Sequence, residues 1–113
     1  MGVVGLGYVG LPHAGMFASK GFRVIGLDVD PEKVRRLNAG ESYIAAVPSK
    51  ALKKWKFEAT VDYSRLRACD AIILCVPTPL HEDGKPDLSF VRSTAASVAR
   101  QLRKGQIVIL EST

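Results

Sequence analysis

Short β-branched apolar runs alternate with longer helical stretches along this chain, and that alternation leaves few folds open. "GVVGL", "FRVIGLD", "DAIILCVPTP" and "QIVILEST" read as strands, and "ATV" as a brief one between the second and the fourth. "DAIILCVPTP" is the strongest, a continuous apolar run of the kind expected when both faces of a parallel sheet are covered. A helix is expected from near Gly10 through "LPHAGMFASK" with Gly21 as its stop, and Pro12 falls in its first turn, where a missing N–H costs little. "DPEKVRRLNAG" is the clearest helix, with Asp30 as cap, Pro31 at its first position and Gly40 at its end. "ESYIAAVPSKALKKWKFEA" reads as a loop holding a short basic helix, and "SRLRAC" as a further helix. After the turn-rich "HEDGKP", Asp87 or Ser89 can cap a last helix running to about Arg103, closed by Gly105. Strands separated in this way imply βαβ units with right-handed crossovers, hence an α/β fold with a doubly wound parallel sheet.

The first strand runs into Gly5, Gly7 and Gly10, spaced G-x-G-x-x-G, and a helix opens at the third. The glycine pattern alone is common, but its place between strand and helix, in a βαβ unit ending on an acid, is specific. Gly5 permits a tight turn, Gly7 leaves no side chain to block a pyrophosphate, and Gly10 lets the helix approach the sheet. The helix then turns free N–H groups and the positive end of its dipole toward phosphates. Asp28, eighteen residues past Gly10 at the end of "RVIGLD", stands where a carboxylate accepts from adenosine ribose hydroxyls and repels a 2′-phosphate. The predicted fold is therefore a Rossmann-type single domain over residues 1–113, and the predicted cofactor is NAD rather than NADP. Lys33 is expected to reach the ribose edge. The bland alternative is a strand-to-helix turn without ligand, with Asp28 as a plain cap.

At 113 residues the chain forms one domain, short for a complete two-substrate enzyme. Met1 stands one residue ahead of an apolar run and "IVILEST" is a strand with nothing after it, so both ends are expected to be cut. An unpaired last strand would be an exposed apolar edge, so the chain is expected to dimerise or aggregate. No apolar run approaches the roughly 20 residues of a membrane helix, and no basic-then-apolar leader precedes the first strand. Cys69 and Cys75 have neither metal spacing nor a disulfide framework, which points to a reducing cytoplasm and to no metal site. Sixteen basic residues less eleven acidic ones give a net charge of +5, spread along the chain with a local cluster at Lys50, Lys53, Lys54 and Lys56. That cluster reads as a solvated face, with attraction of an anionic ligand as the alternative. Nothing interleaves aromatics with base-reading side chains, so nucleic acid is not an expected partner.

"GLGYVGLP", "GLDVDPEKVRRLNAGES", "CVPTPL", "PDLSFV" and "ILEST", in this order, resemble the N-terminal domain of the nucleotide-sugar 6-dehydrogenases, a family that includes UDP-glucose, GDP-mannose and UDP-N-acetylhexosamine enzymes. Pro12 after "GYVGL", with "VPTPL…PDLS", is most similar to the UDP-N-acetylglucosamine and UDP-N-acetylmannosamine branch. The resemblance implies two successive NAD-dependent oxidations of a sugar C6 alcohol to a carboxylate, in a homo-oligomer. It also implies backbone N–H groups of Tyr8 and Val9 on the pyrophosphate, Asp28 and Lys33 at the adenosine ribose, and Thr78 touching the cofactor. Thr113 would border the nicotinamide and help hold a catalytic water or hydroxyl. The family's cysteine nucleophile and its lysine, asparagine and aspartate partners belong to later segments. This stretch is therefore expected to bind NAD but not to turn over sugar. Cys69 and Cys75 are expected to be inert filler, Glu111 a structural carboxylate, His13 a packing or surface variant and His81 solvated. Two alternatives share the glycine turn and the acid: a 3-hydroxyacid or 6-phosphogluconate type dehydrogenase, and a non-catalytic NAD-binding or ligand-free unit.

Overall fold

The computed structural model describes residues 1–112. Five parallel strands form one sheet in the order β3-β2-β1-β4-β5, so the chain starts in the middle and winds outward both ways. They are β1 (Gly2–Val4), β2 (Val24–Leu27), β3 (Phe57–Thr60), β4 (Ala71–Leu74) and β5 (Ile107–Leu110). β1 is held in register on both sides, with Val4 opposite Leu27 of β2 and Leu74 of β4.

The helices cover the two faces. On one side lie α1 (Gly10–Ser19), α2 (Pro31–Asn38) and the single turn α3 (Ser49–Leu52), which bury Leu11, Leu37 and Leu52 against Val3, Val24 and Ile73. On the other lie a 3₁₀ helix (Tyr63–Ala68) and α4 (Ser89–Ala99), whose Leu66 and Val98 pack on Val4, Ile25, Ile72 and Leu74. Neighbours in β1 and β4 thus point to opposite layers, as the pleat requires, and both layers are apolar.

The expected caps are in place at α2, where Asp30 accepts from the Glu32 amide at 2.9 Å and Pro31 takes the first helical position. At α4 the residue before the helix is Leu88, which has no acceptor; Asp87 accepts from the Ser89 amide instead. Two boundaries differ from the sequence reading. The third strand starts at Phe57, because its pairing with β2 begins at Val24 opposite Phe57. The helix expected over "SRLRAC" is present as a 3₁₀ helix, Tyr63–Ala68. And α4 stops at Ala99 rather than near Arg103, because the following residues bond elsewhere. Arg103 Nε donates to the Arg67 carbonyl at 2.8 Å, and Gln106 Nε2 donates to the carbonyls of Leu66 and Cys69 at 2.9 and 2.6 Å. These contacts draw the chain off the helix and against the 3₁₀ segment.

β5 lies at the sheet edge with all four of its residues exposed, Ile107 at 62% and Leu110 at 55%. Among the described residues no helix is long and apolar enough to cross a membrane.

Candidate cofactor crevice

The sheet order reverses between β1 and β4, and there the connections leave to opposite faces. A crevice of about 790 Å³ opens at this point beyond the carboxyl ends of the strands. Open α/β sheets bind ligands in such crevices. One wall is the glycine turn, and another is the end of β2 with Asp28 and Val29. The far side is the segment after β4, Val76 to Thr78, together with the face of α4 that carries Phe90, Ser93, Thr94 and Ser97. A second hollow, at the amino ends of the strands, is lined by Arg65 and Glu58, but those two already pair at 2.7 Å.

The three glycines meet different demands. Gly5 has φ of +91°, and a Cβ there would stand 2.5 Å from the Cys75 carbonyl oxygen. Side chains are excluded on both counts. At Gly10 a Cβ would overlap the Gly5 carbonyl and press on Cys75, so this glycine brings α1 against the turn. Gly7 is unlike both. It has no positive φ, and a Cβ there would meet nothing within 4 Å. The bare face of Gly7 looks onto the open crevice.

The start of α1 has no acidic residue in its first turn and no side-chain cap. Leu11 donates to the Gly7 carbonyl at 3.1 Å, but among the described residues nothing accepts from the amides of Gly7, Tyr8 or Val9. Unsatisfied donors at a helix start, with the dipole behind them, attract anions.

Asp28 is buried, 7% exposed, and its carboxylate closes one end of the crevice. Its Oδ2 accepts from the Leu6 amide at 2.9 Å and its Oδ1 from the Asp30 amide at 3.0 Å, with Lys33 Nζ 3.9 Å from Oδ2. Asp28 thus ties the glycine turn to the end of β2, a structural role absent from the sequence reading. Each carboxylate oxygen has a second lone pair, so capacity for further donors remains. Lys33 lines the crevice beside it. Across the crevice, Thr78 Oγ1 lies 3.2 Å from Ser112 Oγ, which brings the ends of the β4 and β5 segments together. Gly5, Gly7, Tyr8, Val9, Asp28, Lys33 and Thr78 therefore meet around one opening, with Gly10 behind it. Thr113, expected at the nicotinamide end, lies outside the described residues.

The cysteines behave as inert thiols. Cys75 lies one residue past β4 rather than in mid-strand, and its amide donates to the Val4 carbonyl at 2.7 Å. Burial, with a contribution from the Glu111 charge, pushes its thiol up to about 11. Burial likewise raises Cys69. Both stay protonated near neutrality, which suits neither nucleophile nor metal ligand. Among the described residues no group of three His, Cys, Asp or Glu could hold a metal ion. His13 Nδ1 sits 2.8 Å from the Val9 carbonyl oxygen in its own helix, and His81 pairs loosely with Asp87 at 3.9 Å outside the crevice. Lys50, Lys53, Lys54 and Lys56 are exposed, and none lines the crevice.

The crevice-lining side chains Tyr63, Phe90, Ser93, Thr94 and Ser97 were not singled out from the sequence. Phe90, Ser93, Thr94 and Ser97 share one helix face at the i, i+3, i+4, i+7 spacing, a signal present in "SFVRSTAASV". Tyr63, packed beside Thr94 and Ser97, carries no such local signature.

Sheet order, glycine turn and crevice together define a Rossmann-type domain. All 113 residues match the model of the UDP-glucose/GDP-mannose dehydrogenase family, NAD binding domain, and the chain belongs to that family. Among curated relatives, UDP-N-acetyl-D-mannosamine dehydrogenase of Yersinia pestis is 42% identical over 113 residues, 98% of this chain and 27% of the relative. NDP-N-acetyl-D-galactosaminuronic acid dehydrogenase of Ralstonia nicotianae is 38% identical over 117 residues, again 98% of this chain and 27% of the relative. The solved structure of the UDP-N-acetylmannosamine dehydrogenase of Pyrococcus horikoshii superposes with a TM-score of 0.92 at 38% identity, covering 99% of this chain and 28% of that one. The chain spans little more than a quarter of the length of these relatives. Membership of this family decides against the 3-hydroxyacid and 6-phosphogluconate alternatives.

Proposed function

We propose that the crevice seats NAD with its pyrophosphate on the amides of Tyr8 and Val9 at the Gly5–Gly7–Gly10 turn. Asp28 and Lys33 then meet the adenosine ribose, and Thr78 contacts the cofactor from the β4 side. One observation carries this reading: Gly7 is required neither by its backbone angles nor by packing, and it lines the crevice together with Tyr8 and Val9, where all three amides lack an acceptor among the described residues. A glycine that the fold does not need is accounted for by a ligand that passes close to the backbone.

We further infer that the whole protein is a nucleotide-sugar 6-dehydrogenase, oxidising the C6 alcohol of a UDP-N-acetylhexosamine to the uronate. The similarity to acetylhexosamine dehydrogenases supports that choice of sugar. NAD, when bound, supplies the hydride acceptor. The residues of this chain bind it, orient it and select it by charge, with Thr113 at the reacting end. The same reading takes the protein as a cytoplasmic homo-oligomer whose partners are NAD and a UDP-sugar, not nucleic acid or membrane; its two free thiols accord with a reducing compartment.

Calorimetric titration of the 113-residue chain with NAD and NADP tests the binding. Saturable NAD binding is expected, with discrimination against NADP that relaxes in Asp28→Ala. No saturable signal up to millimolar NAD overturns the assignment. For the whole protein, NADH formation from UDP-N-acetylmannosamine or UDP-N-acetylglucosamine is the decisive assay.

A further inference from the structure

The Leu6 residue, between Gly5 and Gly7, is held from both sides. Its amide donates to Asp28 Oδ2 at 2.9 Å, and its carbonyl oxygen accepts from the Tyr43 hydroxyl at 2.6 Å. The second bond joins residues 37 apart and reaches the turn from behind, for Tyr43 does not line the crevice. The Leu6–Gly7 peptide is planar and trans, so its C=O and N–H point in opposite directions. A carbonyl fixed toward Tyr43 therefore fixes the Gly7 N–H away from Tyr43. That N–H has no acceptor among the described residues, and Gly7 lines the crevice.

Tyr43 is itself held. Its ring packs against the core layer under α1 and α2, with Arg36 5.5 Å and Lys33 5.8 Å from its centroid. Cations at that distance are drawn to the ring face. The preceding residue is tied down as well: Ser42 donates through its amide to Ser49 Oγ at 2.9 Å and through its hydroxyl to the Ile44 carbonyl at 3.1 Å. Burial, and secondarily the charges of Asp28 and Asp30, raise the phenol well above its ordinary range, so it stays a donor at any working pH.

We propose that Tyr43 is a positioning residue for nucleotide binding, whose hydroxyl aims the Gly7 N–H at a phosphate of the ligand. This rests on the reading that the crevice takes NAD. The hydroxyl holds the carbonyl half of the Leu6–Gly7 peptide while Asp28 holds the preceding amide. The turn is thereby ordered before ligand arrives, and binding loses less entropy for it. Phosphate recognition depends on this clamp, whereas the adenosine end, met by Asp28 and Lys33, does not.

The test compares the unsubstituted chain with Tyr43→Phe, which keeps the ring and removes only the donor, using NAD, ADP and adenosine as three probes in shift titrations. Loss of one modest hydrogen bond corresponds to about a two- to tenfold change in binding. Tyr43→Phe is expected to weaken NAD and ADP by that factor and to leave adenosine unchanged. Unaltered NAD affinity overturns the proposal and leaves the NAD reading standing. Equal weakening of all three probes also overturns it, since a general loosening of the fold does that. No NAD binding by the unsubstituted chain removes both readings. A measurement without a variant covers the case in which Tyr43→Phe does not fold. The Gly7 amide proton of the unsubstituted chain is expected to move downfield with NAD and ADP but not with adenosine; a Gly7 signal indifferent to ADP refutes the role.

Discussion

Replacing Gly7 with alanine separates a residue kept for the fold from one kept for a ligand. The added Cβ would meet no atom within 4 Å, and the backbone at Gly7 has no positive φ, so nothing in the chain resists it. A glycine-to-alanine change at a compatible position stabilises by about 0.4–1 kcal/mol through the unfolded state. A domain of this size moves roughly 4 °C per kcal/mol, so the melting temperature should stay level or rise by a few degrees. Binding should move the other way. A methyl on the crevice side of the turn keeps phosphate oxygens from the 2.9 Å or so that an amide hydrogen bond needs. Each bond to a charged acceptor carries about 1.5–3 kcal/mol, so the loss of a single one lowers NAD affinity at least tenfold. Gly10→Ala is the control, because its Cβ runs into the Gly5 carbonyl. Overpacking of that kind costs about 1–3 kcal/mol and should lower the melting temperature by roughly 4–12 °C. Differential scanning fluorimetry and calorimetric NAD titration of both variants give the two readouts. NAD affinity within twofold of the unsubstituted chain in Gly7→Ala would refute the reasoning, as would a melting temperature lowered as far as that of Gly10→Ala.

Two further outcomes follow from the same structure. Burial raises Cys69, Cys75 and Tyr43, with Cys75 at about 11 against an ordinary thiol near 9, so between those values the folded chain holds protons that the unfolded chain has released. Stability is then full below about pH 9 and declines as pH rises toward 11, visible as a falling melting temperature; a flat profile from pH 8.5 to 10.5 contradicts it. At the sheet edge, the exposed Ile107, Val108, Ile109 and Leu110 should make the chain self-associate in light scattering, and Ile107→Lys should suppress this; a monodisperse monomer before substitution defeats the expectation.

The parts of this molecule that could be read from its sequence are those whose causes are local. The turn after β1 follows from three glycines within six residues, α2 from Asp30, Pro31 and Gly40, and β4 from a run of apolar side chains with both faces covered. Asp28 was legible for a related reason, since its distance from the turn is set by one βαβ unit. Where the reading missed, a distant partner decides. Phe57 joins β3 because Val24 lies opposite it, and past the end of α4 the Arg103 amide goes to Gln106 Oε1 while the Arg103 and Gln106 side chains donate to the carbonyls of Leu66, Arg67 and Cys69. Tyr43 is the limiting case. Its target is a backbone oxygen 37 residues away, and a carbonyl leaves no trace in residue type. A motif thus marks which backbone approaches the ligand, while the groups that hold it in place reach it from parts of the chain that carry no motif. In this domain the glycine spacing marks the first set, and the Asp28 and Tyr43 bonds to Leu6 supply the second.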